Sequence, residues 1–212
     1  MEQPQQLPVL DAAEVRVLGS LIEKCRTTPD YYPMTLNGLV AACNQKTSRN
    51  PVVQYDDETV ISALDSLKKR GLVSTVTGGS SRATKYKHNV AIQYPLVPAG
   101  LALICLMMLR GPMTPGELNT SSGRLYEFGS LDEVQSVLES LMGPENPFVV
   151  QLPRRPGQKE LRYMHLFSGT PDPEDRNPEP KTDQAMEERV SRLERELAEL
   201  RAAFDQLMKE LS

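Results

Sequence analysis

VISALDSL (60–67) and VQSVLESL (134–141) are one phrase written twice: Val, Ser, Leu, an acidic residue, Ser and Leu recur in register without a gap. In both, the apolar residues return at helical spacing, so each phrase reads as an amphipathic helix. An internal repeat decides a fold before any single element does.

The first copy begins with LDAAEVRVLGSLIEK. Asp11 reads as an N-cap with Glu14 three residues on, Leu10 and Val15 as a hydrophobic staple, and Val15, Leu18, Leu21 and Ile22 as one apolar face. TTPDYYP is a turn forced by two prolines, and TLNGLVAAC is a second helix capped by Thr35. The polar stretch CNQKTSRNPV (43–52) follows, and its hydroxyls and amides suit a self-bonded turn. DDETVISALDSLKKRG is a third helix with Val60, Leu64 and Leu67 inward, ended by Gly71. LVSTVTG and RATKYKH, joined by GGSS, read as a β-hairpin.

The second copy keeps this order. PAGLALICLMMLRG gives its first helix. TPGEL gives the second, with Thr114 as cap, Pro115 at the first position and Glu117 at the third. NTSSGRLYEFGS is the connection, and SLDEVQSVLESL a third helix with Ser130 and Glu133 as a capping box. FVVQL and LRYMHLF then form a hairpin around PRRPGQKE. Three helices and a two-stranded hairpin is the order of a winged helix, a helix-turn-helix variant. The expected fold is mainly α with small β wings, an α+β chain: winged-helix domains at 1–95 and 96–168, a linker at 169–181, and a C-terminal coiled-coil helix at 182–212.

CNQKTSRNPV, the RATKY of the first wing, RLYEF (124–128) and RYMHLFSG (162–169) together resemble the YceH-like family of bacterial proteins. The resemblance covers roughly residues 10–169. It implies tandem winged helices in a bacterial cytosolic protein and carries no activity with it.

The linker GTPDPEDRNPEPK holds four prolines and four acids, a composition that stays extended. Beyond it Met186, Val190, Leu193, Leu197, Leu200, Phe204, Leu207 and Leu211 alternate steps of four and three, a heptad seam. With Val190 at a, Arg189 would face Glu194 and Glu196 would face Arg201 of a parallel partner. Both pairs attract, so the seam predicts a homodimer; a helix folded back on its own domain is the alternative.

With 39% apolar and 25% charged residues the chain reads as an ordinary soluble protein. Its N-terminus lacks a signal core, its longest apolar run (101–109) fits a buried helix rather than a membrane span, and three scattered cysteines indicate a reducing cytoplasm. No cofactor or metal is expected, because no Cys or His stands at ligand spacing. His88 and His165 read as half-exposed strand residues rather than general bases, and no enzyme is announced.

The winged-helix order points to DNA, and the net charge of −4 hides a local basic balance of eight Lys and Arg against four acids over 41–95. The third helices argue against groove reading. One begins Asp56-Asp57-Glu58 and the other carries Asp132, Glu133 and Glu139 without a basic residue, where binding a polyanion calls for Lys and Arg. The candidate nucleic-acid contacts are therefore Lys46 and Arg49 in the turn, Arg82, Lys85 and Lys87 on the first wing, and Arg154, Arg155 and Lys159 on the second. The functional expectation is a dimeric, non-enzymatic DNA-binding or regulatory protein; the alternative is a protein-interaction scaffold meeting its partner through the acidic helices and Arg124, Tyr126 and Phe128.

Overall fold

The computed structural model describes residues 7–77, 83–144, 147–154 and 160–170. Asp11 accepts from the Glu14 N–H at 2.8 Å while Glu14 accepts from the Asp11 N–H at 2.8 Å, closing the expected capping box. Helix α1 (Ala12–Thr27) starts there, and Val15, Val17, Leu18, Leu21 and Ile22 are buried along it. A short 3-10 turn (Pro29–Tyr31) leads to the two-residue strand β1 (Met34–Thr35). Thr35 also caps α2 (Leu36–Cys43), its hydroxyl accepting from the Gly38 N–H at 3.3 Å. Helix α3 (Asp57–Lys69), capped by Asp56, buries Val60, Ala63, Leu64 and Leu67. Gly71 follows in the left-handed region at φ +73°, where glycine avoids the Cβ clash.

Strands β2 (Val73–Val76) and β3 (Lys85–His88) pair antiparallel, and β1 adds to the other side of β3. The first sheet is thus three-stranded, although the sequence predicts only a hairpin. Met34 and Thr35 read as turn and cap, and nothing local announces that they pair with Tyr86 and Lys85.

The second copy follows. After the short helix α4 (Val90–Gln93) come α5 (Pro98–Arg110), α6 (Pro115–Ser122) and α7 (Leu131–Leu141), then β4 (Val149–Leu152) and β5 (Arg162–His165). Helix α6 runs through the NTSS expected in the connection. Its Thr114–Glu117 capping box is complete, Leu118 is buried beneath it, and the Thr120 and Ser122 hydroxyls return to helix carbonyls. The box expected at Ser130 forms by half. Ser130 accepts from the Glu133 N–H at 3.2 Å, but the Glu133 carboxylate takes the Gly129 N–H at 2.8 Å and the Tyr126 hydroxyl at 3.1 Å.

The repeat recurs in the strand pairings. Val73 pairs with His88 in one hairpin and Val149 with His165 in the other. Met34 meets Tyr86 before the first second-helix, and Met113 meets Tyr163 before the other. Both histidines turn inward. His165 is 4% exposed and His88 half-buried, which corrects the half-exposed reading for His165: its ring lies 6.4 Å from that of Phe167 under the hairpin.

The two copies share one core. The most extensive helix contact among the described residues joins α1 to α5. Gly19 makes this possible, since a Cβ there would lie 3.0 Å from Leu109 Cδ2 and 3.1 Å from Met108 Cβ. Helix α5 is buried on nearly every side, from Ala99 to Leu109, which explains its unbroken apolar sequence. Among the described residues no helix is long and apolar enough to cross a membrane.

Candidate functional site

The polar turn after α2 is bonded from both sides. Asn44 closes it at its ends: its side-chain amide donates to the Tyr55 carbonyl and accepts from the Tyr55 N–H, both at 2.8 Å. Arg49 enters the protein. Its guanidinium holds both oxygens of Glu23 on α1, at 3.0 and 2.6 Å, and also donates to the carbonyls of Ala42 and Ser48. Burial alone would raise the Glu23 pKa, but the hydrogen bonds and charge of Arg49, with help from Lys24, hold it below the ordinary value. A second arginine from α1, Arg16, donates to the Cys43 carbonyl at 3.1 Å and the Pro51 carbonyl at 2.6 Å.

This geometry corrects the reading of Arg49 as a phosphate contact. Its side chain is 0% exposed and its charge is matched by Glu23, so nothing is left for an external anion. The turn reaches the second copy instead. The Asn50 N–H donates to the Leu109 carbonyl at 2.9 Å and its side chain to the Arg110 carbonyl at 3.3 Å. The stretch ties one repeat to the other.

The remaining candidates are scattered over the fold. Lys46 is exposed on the turn and Arg154 beyond β4. Lys85 and Lys87 share the outer face of β3, the middle strand of its sheet, because Tyr86 between them packs on the core. Arg82, Arg155 and Lys159 lie outside the described residues, as do Val190, Leu193, Leu197, Leu200, Phe204, Leu207 and Leu211, the residues expected to dimerise. Arg124 is exposed, while Phe128 packs against the core with its ring 4.7 Å from that of Tyr126.

The third helices carry acidic outer faces, although Glu133 is half-buried and bonded to Tyr126 and Gly129. Glu58, Ser62, Asp65 and Lys69 are exposed on α3, and Asp132, Gln135 and Glu139 on α7. Two apolar side chains, Ile61 on α3 and Leu131 on α7, are exposed on the same helices. Asp56 is occupied by its cap bonds to Thr59, and Asp65 by Lys68 at 2.8 Å.

Where the turn meets the second copy there is an open cleft of about 960 Å³. Arg110, at the end of α5, stands in it and donates to the Ser121 hydroxyl at 2.8 Å and the Ser48 hydroxyl at 3.0 Å. Across from it Arg162 donates to the Pro112 carbonyl at 2.8 Å and to Glu117 at 2.9 Å. Sequence reasoning missed Arg16, Glu23, Arg110 and Arg162. The one local signal was Arg16, a charge set inside the apolar run VRVLGSLI.

The histidines are neutral packing groups. Burial, with the Arg26 charge in addition, lowers the His88 pKa to about 4, and burial lowers that of His165 to about 4. Each lies under the hairpin of its own copy. Among the described residues no group of three or more His, Cys, Asp or Glu is placed to hold a metal ion.

Residues 10–158 match the family described as "Protein of unknown function, DUF480". The chain is 46% identical to the UPF0502 protein YceH of Escherichia fergusonii, over 95% of this chain and 97% of that one. It is 44% identical to a UPF0502 protein of Shewanella sp. strain ANA-3, over 94% and 97%. A UPF0502 protein of Opitutus terrae is 43% identical, over 93% and 85%.

Proposed function

The chain belongs to the DUF480 family, and we propose that it works without catalysis, as a tandem winged-helix protein whose third helices dock on a basic protein partner. The observation that carries this reading is the chemistry of α3 and α7. A winged helix that reads DNA places this element in the major groove. Here Asp57 and Glu58 are exposed on one such helix and Asp132 and Glu139 on the other. Each approach to a phosphate would bring like charges together where counterion release asks for cations. A basic protein segment meets the same carboxylates favourably, and Ile61 and Leu131 supply the apolar contact that protein interfaces combine with a polar rim.

A second reading is supported by the outer face of β3. Lys85 and Lys87 stand together there, with Arg82 three residues before Lys85 in sequence, and such a wing suits the phosphate backbone of duplex DNA. In either reading the heptad segment at 182–212 supports a homodimer, and the reduced cysteines a cytoplasmic setting.

Affinity capture with the full chain tests the first reading. Ser62→Lys with Asp65→Lys on α3, and Gln135→Lys with Glu139→Lys on α7, reverse the exposed faces without touching a cap. The expected result is a basic partner retained by the native chain and lost by these variants at unchanged melting temperature. Retention of the same partner by both variants would contradict it.

A further inference from the structure

We infer that the cleft between the two repeats binds a small molecule through a phosphate or carboxylate group seated on Arg110. This goes beyond the third-helix reading and does not depend on it. The cleft, about 960 Å³, lies in the range that suits a metabolite-sized ligand.

Three observations point to an anion. Arg110 is bonded to two neutral hydroxyls, Ser48 from the first repeat and Ser121 from α6, and its Nε is buried without a hydrogen-bond partner. Among the described residues no carboxylate pairs with it, in contrast to Arg49 with Glu23 and Arg162 with Glu117. Both serine oxygens accept from the guanidinium, so each O–H proton must point away from it. Two hydroxyl donors therefore flank the cation, the arrangement that receives an anionic oxygen on charge-assisted bonds. Finally, Ser48 holds φ +58°, a left-handed conformation rare for a residue with a side chain. Such conformations persist at functional sites where the surroundings fix them. Glycine would relax the backbone there but would remove the hydroxyl that reaches Arg110.

The far side of the cleft sets the rest of the ligand. Glu117 is engaged by Arg162 at 2.9 Å and by the Thr114 N–H at 2.8 Å, so it does not compete for Arg110. Glu160 is exposed at the rim and Met113 lines the wall. A ligand with an anionic head and a neutral or cationic tail fits this division. Because Ser48 and Arg110 come from different repeats, the anion would clasp the turn to α5.

Amide chemical shifts of the full-length protein, followed during titration at constant ionic strength, test the assignment. Inorganic phosphate and acetate are the two probes, and the one that binds tells a phosphate site from a carboxylate site. The expected result is a saturable shift at residues 48, 110 and 121, weakened about tenfold in the Ser48→Ala/Ser121→Ala double variant, the order expected for losing charge-assisted hydrogen bonds. Arg110→Gln should abolish it; the double variant keeps the test open if that protein does not fold. No localised shift with either probe, or shifts unchanged in the double variant, would overturn the inference.

Discussion

Arg49 Nη2 lies 2.6 Å from Glu23 Oε2, joining the turn after the second helix to the middle of the first. That pair changes what the polar stretch is for. A segment rich in amides with two cations looks like a grip for nucleic acid, but one of its cations is spent inside the protein. The same turn bonds to the end of α5, so its conformation and the packing of the two repeats are set together.

Arg49→Ala should therefore unfold easily. It leaves the Glu23 carboxylate and the Ala42 carbonyl without their donor, and breaking a buried pair costs about 3 kcal/mol or more. Arg49→Lys should recover little, since an ammonium cannot span both carboxylate oxygens. Urea denaturation of the three proteins measures the difference.

Gly19 separates two effects of similar size. Gly19→Ala gains about 1 kcal/mol of helix propensity and loses about as much to overpacking against Leu109 and Met108, so its stability should stay near that of the native protein. Gly19→Leu has no such balance and should cost about 3 kcal/mol or more, because the repeats cannot part without exposing α5. Thermal unfolding of both variants checks the pair.

Acid should weaken the fold in a defined window. His88 and His165 have folded pKa values of about 4 against an ordinary 6.5, so below 6.5 the unfolded chain binds protons that the folded one refuses. The histidine contribution is then flat above about pH 6.5 and falls towards pH 4, by at most roughly 1.4 kcal/mol per pH unit for each histidine. Glu23, whose folded pKa lies below the ordinary 4.5, adds a further loss at lower pH. Denaturation at several pH values should show a shallower fall for His165→Phe; an identical slope would remove His165 from the account.

Much of this was legible because it is local or periodic. The caps at Asp11, Thr35 and Thr114, the inward faces of α3 and α7 and both hairpins each depend on residues close in sequence. What escaped were long-range bonds with no period: Arg49 to Glu23, Arg16 to the Pro51 carbonyl, and Asn50 to α5. The added strand β1 was missed for the same reason, since Met34 pairs with a tyrosine 52 residues away. His165 was misjudged because strand alternation gives two faces, and its ring is held on the inner one by Phe167.

The heptad seam carries its own test. Sedimentation of the full chain should give a dimer, and removal of 182–212 should leave a monomer with the same melting profile for residues 7–170. A dimer that survives the deletion would place the interface elsewhere.

The third-helix reading is tested most directly by a low-salt titration of duplex DNA, comparing the native chain with Lys85→Ala/Lys87→Ala and with Ser62→Lys/Asp65→Lys. No saturable binding is expected of the native chain or of the Lys85→Ala/Lys87→Ala variant, and weak, salt-sensitive binding should be gained only when α3 is made basic. Tight binding by the native chain that falls with salt and with loss of Lys85 and Lys87 would contradict it and establish the wing as a DNA contact.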